Sequence, residues 1–164
     1  MGRGEPEQRT IKIGRDLSIA VVSTAWNDDV VSLMLRGAEN ALEQAGVSVE
    51  RIVEFVVPGA FEIPLVLQRL AQSGRFDGLV ALGAVIRGET PHFDFVAGVA
   101  SDGIARVALD HDIPCGFGLL TVDNIDPAME RADPTRLDKG GEAARTVLSV
   151  IALLDDIDRP DEGT

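Results

Sequence analysis

A chain of 164 residues, 45% hydrophobic and 26% charged, has the size and makeup of one globular domain with a core that needs no disulfide staples. Its 15 basic and 27 acidic residues leave a formal net charge of −12, which argues against a general nucleic-acid binder and against electrostatic docking to anionic membranes. Cys115 is the lone cysteine, so neither a disulfide framework nor a cysteine zinc cluster can form within one chain.

Gly2–Thr10 and Asp155–Thr164 are charged and carry glycine or proline; loose ends are expected there, around a single-domain core of residues 17–154. No apolar run approaches the roughly 20 residues of a membrane span. Met1–Asp16 is polar and lacks the apolar stretch of a signal peptide,. A cytoplasmic protein is expected.

Leu17–Ser23 is rich in β-branched residues and predicts a buried strand,. Asn27, Asp28 and Asp29 offer caps to a first helix, in which Val31, Met34, Leu35, Ala38, Leu42 and Ala45 recur at helical spacing before Gly46 stops it,. Val49–Val56 predicts a second strand, Pro58-Gly59 a turn, and Ile63, Val66, Leu67 and Leu70 a second helix ending near Gly74,. Leu79–Val85 is nearly all apolar, as suits a strand covered on both faces in a parallel sheet,. A third helix from Pro91 to about Leu109 and a fourth strand, Pro114–Thr121, follow,. A short helix from Asp123 to about Ala132 and a long one from Lys139 to about Leu154 complete the order,. That order is βαβαβαβαα, which predicts a three-layer αβα sandwich on a four-stranded parallel sheet with right-handed crossovers. Ligands of such sheets bind at the carboxyl ends of the strands, so the loops that follow the strands are where chemistry is expected.

After the first strand comes Trp26, as well placed to be a flat platform for a heteroaromatic ring as a staple at the helix entry. After the second, Pro58-Gly59-Ala60-Phe61-Glu62 combines small residues that let a ligand near the backbone with a carboxylate in a first helical turn. Glu62 suits hydroxyl groups of a ligand or, more simply, the helix dipole. The third loop, Gly88-Glu89-Thr90-Pro91-His92, places a glycine turn, a capping Thr90 and Pro91 ahead of free helix amides that suit a phosphate. His92 follows in the first turn, where the dipole favours a neutral imidazole able to shuttle a proton. His111, in the polar run Leu109-Asp110-His111-Asp112, serves as a contrast and reads as a solvated helix end. After the fourth strand, Thr121, Asp123 and Asn124 look like capping residues,. Arg131 and Lys139 flank the connection Ala132–Asp138 and suit either a phosphate or ordinary helix ends,. Phe117 is expected in the core by periodicity. Two distant histidines make no metal motif, and neither a GxxxxGK[ST] nor a GxGxxG loop occurs,.

The run Ala81-Leu82-Gly83-Ala84-Val85-Ile86-Arg87-Gly88-Glu89-Thr90-Pro91-His92-Phe93-Asp94-Phe95-Val96 resembles the signature of the 6,7-dimethyl-8-ribityllumazine synthase family. Val57–Pro64, Phe117–Thr121, Glu130–Ala132 and Asp138–Gly140 are similar to further motifs of that family, in its order, from Leu17 to Leu154. The resemblance implies a flavodoxin-like fold and a transferase that acts without metal or organic cofactor. Its substrates would be 5-amino-6-(D-ribitylamino)uracil and 3,4-dihydroxy-2-butanone 4-phosphate, and its products the lumazine, phosphate and water. Trp26 would stack on the pyrimidine; Ala60, Phe61 and Glu62 would hold the ribityl chain and ring; Ala84, Val85 and Ile86 would meet the pyrimidine through backbone groups. Glu89 and Thr90 would give the phosphate their amides, and His92 would carry the proton. Phe117 and Arg131 would come from the adjacent subunit of a homopentamer, with Lys139 nearby. Some members of the family build shells. The connection Ala132–Asp138 has no long insertion against one, yet is not glycine-rich and is stiffened by Pro134,; a pentamer is expected, with no higher assembly assigned.

Two other classes compete. One is a non-catalytic pentameric or shell-forming protein that binds a flavin or lumazine; the joint presence of Trp26, Glu62, His92, Arg131 and Lys139 argues against it. The other is a nucleotide-binding α/β module; its usual phosphate loop after the first strand is missing, because Ser23–Asn27 contains no glycine.

Overall fold

The computed structural model describes Ile11 and residues 13–160. Most of the segments expected to be loose, Gly2–Thr10 and residues 161–164, lie outside the described residues. Among the described residues four strands and five helices follow in order: β1 (Ile19–Thr24), α1 (Asp28–Gln44), β2 (Ile52–Val57), α2 (Ile63–Gln72), β3 (Gly78–Ile86), α3 (His92–His111), β4 (Cys115–Val122), α4 (Ile125–Ala132) and α5 (Lys139–Ile157). Short 3-10 turns at Val49–Arg51 and Ala60–Glu62 precede β2 and α2.

All strand pairs are parallel, in the order β2-β1-β3-β4. The three-layer sandwich expected from the sequence is therefore present. Alternation along β1 divides its side chains between two cores. Ile19 and Val21 join Val80, Leu82 and Leu120 under α1, α4 and α5. Ala20 and Val22 join Leu79, Ala81 and Leu119 under α2 and α3. Every residue of β1 is buried, as expected for a strand with a neighbour on each side and helices above and below.

Close helix packing depends on absent side chains. A Cβ on Gly140 would run into the Met34 carbonyl, so α5 crosses α1 near backbone contact. A Cβ on Gly116 would stand 2.6 Å from the Ala143 carbonyl oxygen, so α5 also lies close on β4. Asp138 starts α5 from a left-handed conformation (φ 43), accepts from the Gly141 N–H at 3.1 Å and pairs with Arg145 at 3.0 Å.

Several local expectations are corrected. Val49–Arg51 is a 3-10 turn, so β2 begins only at Ile52. The last helix runs on to Ile157, and Asp155 in its last turn pairs with Arg15. Asn27 takes the cap position of α1, but its side chain makes no cap bond; the backbone is left-handed (φ 59) and Nδ2 donates instead to the Ala84 carbonyl at 2.8 Å. Asp123 pairs with Arg87 and does not cap α4, whose cap residue Asn124 makes no side-chain cap bond either.

Candidate active site

The strand order reverses between β1 and β3, since β1 connects to one side and β2 returns across to the other. Crevices form at such switch points, outside the carboxyl ends of the strands. The loops bearing Trp26 and His92 meet this crevice.

Strand β3 outruns β1. It pairs with β4 as far as Ile86, but with β1 only as far as Leu82, the partner of Ser23. Alternate residues of a strand direct both backbone polar groups to the same neighbour. The Ala84 carbonyl meets Asn27 on the β1 side, so Ile86 presents its N–H and C=O to the same side, where no strand takes them. A donor and an acceptor side by side suit the edge of a pyrimidine. The Ala84 side chain is buried and those of Val85 and Ile86 are half-buried, so any contact by Ala84 is through its backbone.

Trp26 is 73% exposed, so it is not a staple packed on the core. Its backbone N–H donates to the Pro58 carbonyl at 3.3 Å, and the Ala25 backbone N–H donates to the Val57 carbonyl at 2.8 Å. The ring edge also meets the loop after β2: its Cδ1 lies beside Gly59, where a Cβ would come within 3.5 Å. In that loop Phe61 is 57% exposed while Ala60 is buried. Glu62 does not serve the start of α2; its Oε2 accepts from the Gly59 N–H at 3.0 Å and closes the 3-10 turn. The remaining oxygen makes no protein hydrogen bond among the described residues.

Glu89, Thr90, Pro91 and His92 are all exposed. Pro91, not Thr90, is the cap residue of α3, one place later than expected, and Thr90 Oγ1 accepts from the His92 N–H at a long 3.4 Å. The helix therefore opens at His92 instead of Pro91, which keeps His92 in the first turn. The free amides and the imidazole thus share one exposed helix start.

Phe117 contradicts the expectation of a core residue: it is 51% exposed. Strand β4 is an edge strand, and periodicity cannot tell an edge from a centre. Phe117 pairs with Ala81, one residue below the Ser23 partner Leu82, whereas Trp26 lies beyond the end of β1. Three to four residue rises along the strands and two strand spacings across put the two Cα positions roughly 15 Å apart in one chain. Arg131 lies in the last turn of α4 with Nη1 on the Pro127 carbonyl at 3.1 Å, and Lys139 opens α5 paired with Glu142. Neither makes a hydrogen bond or ion pair to Gly88–His92 among the described residues. One chain brings together Trp26, Ala60, Phe61, Glu62, the β3 edge and His92; it does not bring Phe117, Arg131 or Lys139 to them.

An apolar groove of about 290 Å³ lies at the opposite end of the sheet, lined by Leu109, Ile113, Cys115, Val150 and Leu154 among others. Burial pushes the Cys115 thiol up to about 12, so it is no nucleophile at neutral pH. No group of three or more metal-ligating side chains occurs among the described residues, and no described helix is long and apolar enough to cross a membrane.

Sequence comparison supplies the family. The family model described as 6,7-dimethyl-8-ribityllumazine synthase matches residues 16–155. A 6,7-dimethyl-8-ribityllumazine synthase of Desulfovibrio desulfuricans is 50% identical over 143 residues, covering 87% of this chain and 92% of its own. One from Nitratidesulfovibrio vulgaris is 47% identical over the same shares. That of Deinococcus radiodurans is 45% identical, over 90% of this chain and 95% of its own. The chain belongs to the 6,7-dimethyl-8-ribityllumazine synthase family.

Proposed function

We propose that the crevice between β1 and β3 is where this chain, a lumazine synthase, joins 5-amino-6-(D-ribitylamino)uracil to 3,4-dihydroxy-2-butanone 4-phosphate. The reaction is the penultimate step of riboflavin synthesis. The observation that carries the site is the meeting of an exposed Trp26, the unpaired Ile86 backbone edge and the His92 helix start at one switch point.

The amine attacks the ketone, and loss of water gives an imine. Phosphate leaves by elimination, and ring closure with loss of a second water completes the lumazine. No step needs a covalent enzyme intermediate. Trp26 and Phe61 stack on and flank the ring, Ile86 reads its edge, and Glu62 accepts from ribityl hydroxyls. The Glu89 and Thr90 amides hold the phosphate, and His92 moves the proton. Holding both substrates in register supplies much of the rate, and His92 adds a factor of about 10² or less.

The separation of Phe117 from Trp26 supports a site completed by a second chain. Phe117 closes the ring pocket, and Arg131 binds phosphate with Lys139 nearby, all from a neighbour. In family terms the assembly is a homopentamer. The chain acts as one domain, with residues 17–154 carrying it, in the cytoplasm.

A turnover assay tests this. Purified protein is mixed with both substrates, and lumazine fluorescence is followed against a no-protein control. Protein-dependent product, reduced in His92→Ala and lost in Arg131→Ala, is the expected result. A folded protein with no rate above the control would overturn it.

A further inference from the structure

We infer that Arg87 is a positioning residue that clamps the loop Gly88–Thr90 in its anion-binding shape; this rests on the phosphate assignment just made. Arg87 follows directly on β3, and its backbone N–H donates to the Val122 carbonyl at 2.9 Å, carrying the pairing with β4 one residue past Ile86. The side chain then makes three further contacts. Nε donates to Asp123 Oδ1 at 2.9 Å, Nη1 faces Asp94 Oδ1 at 3.5 Å, and Cζ lies 4.1 Å from the centre of the Phe93 ring. One guanidinium thus ties the end of β3 to the loop after β4 and to the first turn of α3.

What it ties is otherwise unsupported. Gly88, Glu89 and Thr90 are exposed, and a Cβ on Gly88 would meet nothing within 4 Å. The loop packs on nothing at Gly88, so its course depends on its two ends. Arg87 fixes the first through Val122 and the second through Asp94 and Phe93. A single exposed ion pair contributes little. A planar fork shared between two carboxylates and a ring face is a network, and lysine cannot reproduce it.

A purely electrostatic role for Arg87 makes the opposite prediction at Asp123. If Arg87 served only as positive charge near the anion, removing the Asp123 carboxylate would strengthen phosphate binding. If Arg87 is a clamp, removing Asp123 loosens the loop and weakens binding. Asp123 is exposed, so its replacement leaves the core intact.

The test is the KM for the butanone phosphate in Arg87→Met, Asp123→Asn and the double variant, with the KM for the ribitylaminouracil as internal control. We expect a rise of about five- to tenfold in Arg87→Met and about threefold in Asp123→Asn, against an unchanged pyrimidine KM. The double variant should be no worse than Arg87→Met, since both remove one clamp. An unchanged or lowered phosphate KM in folded Asp123→Asn, or effects that multiply in the double variant, would overturn the inference. Inorganic phosphate titrated against the His92 ring resonances reads the same loop without turnover. A wild type that binds phosphate, loses affinity in both variants and forms no product would overturn the reaction but uphold the clamp. A wild type that turns over, with variants that match it, would overturn the clamp alone.

Discussion

Replacing Asn27 separates two costs that the structure combines at one residue. Its backbone is left-handed, at φ 59, and its side chain holds the Ala84 carbonyl at 2.8 Å. Asn27→Ala removes the hydrogen bond, worth about 1–1.5 kcal/mol at a half-buried site. It also places a β-carbon in a conformation that costs about 1 kcal/mol more than for asparagine or glycine. The sum is about 2–2.5 kcal/mol. Asn27→Gly loses the same bond but accepts the backbone, so it should cost only about 1 kcal/mol. For a chain of this size these values correspond to a fall in Tm of about 4–10 °C for alanine and about 2–4 °C for glycine. Thermal or urea unfolding of the three proteins at one protein concentration measures both. Equal and negligible losses in the two variants would refute the argument, because neither the bond nor the backbone would then matter.

Two further outcomes follow from packing and burial. Gly140→Ala should destabilise by about 1–2 kcal/mol, because a Cβ that meets the Met34 carbonyl forces α5 off α1 and outweighs the roughly 1 kcal/mol alanine gains inside a helix; urea unfolding with an unchanged midpoint would contradict it. Cys115 should resist alkylation at pH 8, roughly a thousandfold slower than a free thiol, because burial pushes its thiol up to about 12,. The sign for stability follows: the folded chain holds this proton more tightly, so the contribution is complete below about pH 9 and is lost as the pH climbs towards 12,. Labelling at the rate of glutathione would show the thiol to be open.

The parts of this molecule legible in the sequence are those where one face or run decides the outcome. Leu79–Val85 reads as a doubly covered strand because nearly every side chain is apolar, and so it is. The helix start after β3 is legible to within a residue because glycine, threonine and proline in sequence specify one,. Phe117 misleads because exposure on an edge strand depends on which helices lie over it, and that is decided elsewhere in the chain. Asn27, Glu62 and Asp123 carry capping chemistry in their side chains but spend it on Ala84, Gly59 and Arg87. Two of those partners are remote in sequence, at 57 and 36 positions. A local rule counts what a side chain can bond, not which remote partner reaches it first. Arg87 escapes sequence reasoning for the same reason.

The proposal of a site divided between chains has a consequence that no single variant tests. Trp26, Phe61 and His92 lie at one end of the sheet, while Phe117 faces outward on the far edge. If a complete site takes His92 from one chain and Arg131 from its neighbour, two impaired proteins can rescue each other. A chain carrying Arg131→Ala still offers His92; a chain carrying His92→Ala still offers Arg131. Unfolded together and refolded as an equal mixture, they should form intact sites wherever the first type is followed by the second around a ring, about one site in four. Activity should therefore return to about a quarter of the wild-type value, far above either parent. If both residues served from the same chain, every mixed site would still lack one of them. Activity would then stay at the mean of the parents, and the intersubunit site would have to be abandoned.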